Sequence, residues 1–81
     1  MQYDKEIIRV LVEAGDEGLS VWKISHHVYN ACNSLFHPIV QEDVRKYVQS
    51  YLLKNSKLPT SLIERIRKGT YRLNTSNSFS Q

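Results

Sequence analysis

The chain has 81 residues, 41% of them hydrophobic and 23% charged, with a net charge of +3 and a single cysteine. That length makes one small domain with a modest core and no room for an internal active-site cavity. Lone Cys32 rules out an internal disulfide framework, and no apolar run is long enough to span a membrane.

Charge is unevenly spread. Residues 1–44 hold seven acids and three bases. Residues 45–72 hold eight bases (Arg45, Lys46, Lys54, Lys57, Arg65, Arg67, Lys68, Arg72) against one acid, Glu64. A folded domain with one positive end suits a polyanionic partner. The opening MQYDKEII lacks a basic stretch followed by an apolar one, so no secretory signal is read there and the cytoplasm is the expected location.

The first helix is expected at about 3–14. Ile7, Ile8, Leu11 and Val12 form its apolar stripe, Asp4 and Glu6 suit the positive helix start, and Gly15 is placed to cap its end. Gly15 to Gly18 reads as a turn. Leu19 and Ser20 form a very short strand. Ser20 then caps a second helix at about 21–33, with apolar positions Val21, Ile24, Val28, Ala31 and, beyond, Leu35. Trp22 is expected to complete the small core.

Residues 34–40 connect to the next helix, because Pro38 disfavours helix at His37. A third helix follows at about 40–54. Its stripe of Val44, Tyr47, Val48, Tyr51 and Leu52 is the clearest in the chain, and both tyrosines are assigned to the core. Asn55 to Ser61 is a loop. Strands at 62–67 and 70–74 flank a Lys68-Gly69 turn, and the polar residues 75–81 form a frayed tail. The domain is therefore 1–74.

With Lys68-Gly69 as the two turn residues, regular pairing sets Arg67 opposite Thr70, Ile66 opposite Tyr71, Arg65 opposite Arg72 and Glu64 opposite Leu73. Ile66, Tyr71 and Leu73 would face the helices, and Arg65, Arg67 and Arg72 the other side. Two facing arginines repel, and an anion along that face would relieve the repulsion.

Helix, short strand, helix, helix, strand, turn, strand is a mainly α arrangement with a small antiparallel β-hairpin. That order, with KEIIRVLVEAG, EGLSVWKISHHV and the ending RKGTYRLN, resembles the winged helix-turn-helix superfamily over residues 3–74. Within it, the pattern is most similar to HARE-HTH-type domains, which close on a Gly-aromatic-x-Leu strand, here Gly69-Thr70-Tyr71-Arg72-Leu73. The resemblance implies a third helix that enters a DNA major groove and a wing that contacts the backbone. Gln41, Arg45 and Gln49 would then read base edges, with Glu42, Lys46 and Ser50 beside them. Lys46, Lys54, Lys57, Arg65, Arg67, Lys68 and Arg72 would neutralise phosphates. Glu42 and Asp43 oppose this unless they turn toward Arg45 or Lys46, or accept from a cytosine amine.

The expected function is double-stranded DNA binding, in a transcription-regulating role. The alternative is a protein adaptor or homodimer, using apolar surface around Trp22, Leu35 and Phe36. No enzyme, cofactor, membrane contact or small-molecule substrate is read. His26, His27, Cys32 and His37 match no closed zinc spacing, so no metal is expected. One histidine is expected partly buried, the other solvated, and Cys32 a small core residue.

Overall fold

The computed structural model describes residues 2–74, so the tail expected at 75–81 lies outside the described residues. Helix α1 runs Gln2–Ala14, followed by a 3₁₀ turn at Gly15–Glu17 and strand β1 at Leu19–Ser20. Helices α2 (Val21–Cys32) and α3 (Gln41–Lys54) precede strands β2 (Ile63–Arg67) and β3 (Thr70–Leu73). The three strands form one antiparallel sheet in the order β1-β3-β2. Each expected helix and strand is present, with ends moved by at most one residue.

The core forms where the three helical stripes meet the sheet. Ile7, Leu11, Ile24, Val28, Val44, Val48, Leu52 and Ile63 are fully buried, and Tyr71 nearly so. Tyr47, Tyr51 and Cys32 are half-buried and pack against this cluster. Tyr3 meets the Tyr47 ring edge-on at 5.3 Å. The Tyr47 hydroxyl donates to Asp4, which ties α3 to the start of α1. That bond pushes the phenol up to about 12, because losing its proton would set two anions side by side.

The start of α2 is satisfied twice. Ser20 Oγ accepts from the Lys23 N–H at 3.1 Å, the cap expected from the sequence. The Val21 N–H donates to the Gly69 carbonyl at 2.9 Å, so the β2–β3 turn itself closes the helix start. Gly69 supplies the positive φ, +79°, that this turn needs.

Four sequence expectations are corrected by packing. Val12, placed in the stripe of α1, is exposed, and Val10 is buried instead. The apolar stripe of α2 does not continue through Ala31 and Leu35. The helix ends at Cys32, Ala31 is exposed, and Leu35 lies in the connection, 89% exposed. Ile39 packs on the core instead, held by its N–H donating to Asn33 Oδ1 at 2.9 Å. Trp22 does not complete the core, for it is 64% exposed. His26 and His27 are both exposed, not one buried and one solvated.

The hairpin register is also corrected. Arg67 pairs with Thr70 as expected, but a β-bulge between Arg65 and Arg67 makes Ile66 an extra residue. Beyond it, Arg65 pairs with Tyr71, Glu64 with Arg72 and Ile63 with Leu73. The reason is burial. Without the bulge, Leu73 would oppose Glu64 and Ile63 would oppose Asn74, and a one-residue slip turns every side chain to the wrong face. The bulge lets Ile63, Tyr71 and Leu73 share the helix-facing side. It also removes the Arg65–Arg72 repulsion. Arg72 Nε instead meets Glu64 Oε1 at 3.1 Å.

Candidate nucleic-acid interface

The same burial that sets α3 against the core leaves its other face to solvent. Gln41, Glu42, Lys46, Gln49 and Ser50 are exposed, and Arg45 is half-buried. At the N-terminal end, Arg45 Nη2 meets Glu42 Oε2 at 2.5 Å and its Nε donates to Oε1 at 3.4 Å. The guanidinium holds the Glu42 carboxyl below its ordinary range. Of the alternatives weighed for Glu42, the turn toward Arg45 is therefore the one taken. This end of the helix is electrically near neutral as a result.

Charge concentrates at the other end. An open groove of about 800 Å³ runs between the last turn of α3, the following loop and β2. Ser50, Leu53, Lys54, Ser56, Lys57 and Arg65 line it. Arg65 reaches the groove because of the bulge. Pairing with Tyr71 puts it on the helix-facing side, where a regular hairpin would have turned it away. Lys54, Lys57 and Arg65 have no ion pair among the described residues, and two serines offer hydroxyls beside them. Such a cluster suits successive phosphates.

The remaining candidates fall into two groups. Arg67 and Lys68 are exposed at the hairpin tip, beyond the groove, and Lys46 and Gln49 lie exposed on α3. Arg72 is different. It pairs with Glu64 and donates from Nη1 to the Asp16 carbonyl at 3.1 Å, bracing β3 against the 3₁₀ turn. Of the ten candidates, then, Arg45 and Arg72 already have partners, and the other eight have no side-chain hydrogen bond or ion pair among the described residues.

Sequence reasoning missed the convergence of Lys54, Lys57 and Arg65, since it depends on the bulge. It also missed the surface position of Trp22, and here a signal was present. Two residues from Ile24 on a helix is a rotation of about 200°, which sets Trp22 opposite the buried stripe. His26, one turn on, shares its face. The two rings lie parallel within 2°, with centroids 5.7 Å apart.

Among the described residues, no three His, Cys, Asp or Glu side chains gather to hold a metal ion. The Cys32 thiol is pushed up by burial and by nearby Glu6. No helix among these residues is long and apolar enough to cross a membrane. Comparison with protein-family models, curated proteins and solved structures finds no match.

Proposed function

We infer that the chain is a winged-helix domain that binds duplex nucleic acid, DNA by preference, with α3 as the reading helix and the β2–β3 hairpin as the wing. The element order and the β1-β3-β2 sheet fit that scaffold. The observation that carries the function is the groove. It brings three unpaired cations from helix, loop and hairpin together at the C-terminal end of α3.

On this reading Lys54, Lys57 and Arg65 grip the phosphate backbone, and Arg67 and Lys68 extend the contact from the hairpin tip. Gln41 and Gln49 carry amides suited to base edges. Arg45 joins them only by releasing Glu42, which makes it a conditional contact. Arg72 serves the scaffold.

The test is a titration into mixed-sequence duplex DNA at several salt concentrations. Five phosphate contacts imply a slope of about −4.5 in log K against log salt, and the triple variant Lys54→Gln, Lys57→Gln, Arg65→Gln should flatten it to about −1.8. An unchanged slope would remove the groove from the interface. No binding even at low salt would refute duplex recognition.

A further inference from the structure

A second site lies at the opposite end of α3. A hollow of about 340 Å³ opens between the starts of α2 and α3, lined by Trp22, Ser25, Gln41, Glu42 and Arg45. We propose that this hollow binds an unpaired nucleobase, stacked on Trp22 and hydrogen-bonded along its edge by the side chains of α3. The proposal rests on the nucleic-acid reading above and adds a ligand that the groove does not address.

Three observations carry it. First, the largest aromatic side chain of the chain is 64% exposed. The indole is steadied by the parallel ring of His26 one turn along α2. An exposed ring held in one plane is a stacking surface, and every base has a π-face to offer it.

Second, the wall beside the ring is polar and close to neutral. Glu42 and Arg45 close on each other, so the hollow offers carboxylate acceptors and guanidinium donors without a strong net charge. The Gln41 amide has no hydrogen-bond partner among the described residues, and supplies one donor and one acceptor group. The Ser25 hydroxyl is already committed, donating to the Val21 carbonyl at 2.7 Å. A near-neutral set of mixed donors and acceptors beside an aromatic plane matches a nucleobase edge. It does not match a phosphate, because its one cation, Arg45, is already held by Glu42.

Third, paired bases cannot use such a site. Their faces are covered by neighbouring base pairs, and their Watson–Crick edges are occupied. The ligand is therefore a base at a strand overhang, a flipped base, or one in a single strand. The hollow is separated from the basic groove by most of the length of α3, about 20 Å over its fourteen residues. That span equals about six steps of duplex. A duplex gripped at the groove and lying along α3, with its last pair near the helix start, would deliver a protruding strand to Trp22.

Trp22 is the only tryptophan in the chain, so its emission reports this site directly. The experiment titrates the full chain with three probes: a blunt duplex, the same duplex with a single-stranded overhang, and the overhang strand alone. Affinity is followed by labelled-oligonucleotide anisotropy in parallel. The overhang duplex should quench Trp22 strongly and the blunt duplex little. Trp22→Ala should weaken overhang binding by about 5- to 150-fold, the range found for losing one base–aromatic stack. Blunt-duplex affinity should be unchanged.

Equal quenching by blunt and overhang duplexes would overturn the preference for an unpaired base. Binding without quenching, or Trp22→Ala binding the overhang as the parent does, would overturn the base site and leave the indole as a protein contact. If no probe binds at all, both this proposal and the reading beneath it fail. Since Trp22 lies outside the core, loss of folding would not mimic these results, and a circular dichroism melt of Trp22→Ala verifies that.

Discussion

Replacing Gly18 by alanine tests how the hairpin is held to the helices. Gly18 follows the 3₁₀ turn with φ +69° and ψ −174°, a region essentially reserved for glycine, and costs of about 1–3 kcal/mol attend any other residue there. Space is short as well. A Cβ at this position would lie 2.5 Å from the Tyr71 carbonyl oxygen and 2.7 Å from Ile66 Cδ1. Ile66 can yield by changing rotamer. The Tyr71 carbonyl cannot, because it belongs to the central strand of the sheet. Crowding of this kind adds about 1–3 kcal/mol. Together the two effects remove about 2–6 kcal/mol, a large part of the roughly 4–12 kcal/mol that stabilises a domain of this size.

Gly69→Ala is the internal control. It has φ +79° but nothing within 4 Å of the added carbon, so only the left-handed conformation is penalised, by about 1–2 kcal/mol. Urea unfolding followed by circular dichroism reads both. With a slope of about 1 kcal/mol per molar, Gly18→Ala should lower the midpoint by about 2–6 M and Gly69→Ala by about 1–2 M, the first always the larger. Equal shifts would refute the close approach of the 3₁₀ turn to β3. The variant matters for function too, since β2 carries Arg65 into the groove and is held to the core through β3.

Two further substitutions probe the joints around the candidate interface. Ser20→Ala removes the acceptor for the Lys23 N–H and should cost about 1 kcal/mol, seen as a melting temperature lower by about 4–8 °C. An unaltered melt would refute the cap. Tyr47→Phe removes the bond to Asp4, worth about 1 kcal/mol once solvent screening of a half-buried pair is included. The raised phenol makes this contribution pH-dependent: full below pH 10, where the unfolded tyrosine is still protonated, and lost as pH climbs through about 12. Parent and variant should therefore differ in urea midpoint at pH 8 and converge above pH 12. A gap that persists there would show that the lost stability is packing and not the hydrogen bond.

How far the site could be read beforehand differs by element. The α3 stripe of Val44, Val48 and Leu52 was legible because burial repeats at the helical period, and its complement, Gln41, Lys46 and Gln49, was legible as the exposed face. Ser20 was legible as a cap because its chemistry is local. The hairpin was half legible. Lys68-Gly69 marked the turn and the Arg67–Thr70 pair next to it, but nothing local announces that Ile66 is an extra residue. Arg72 was set opposite Arg65 for the same reason, whereas it lies opposite Glu64 and pairs with it. The exposure of Trp22 was written in the helical phase of α2, yet the general tendency of tryptophan to be buried pointed the other way.

The sequence by itself determined the order of the elements, most of the helical share of the core and the concentration of positive charge after residue 44, because these depend on periodicity, capping and turn chemistry within a few residues. Only the tertiary structure decided which cations meet. Burying Ile63, Tyr71 and Leu73 on one side of the sheet requires the bulge, the bulge turns Arg65 toward Lys54 and Lys57, and it pairs Arg72 with Glu64. A side chain's face on a strand reverses with a single residue of register, and that register is set by packing between segments far apart in the chain.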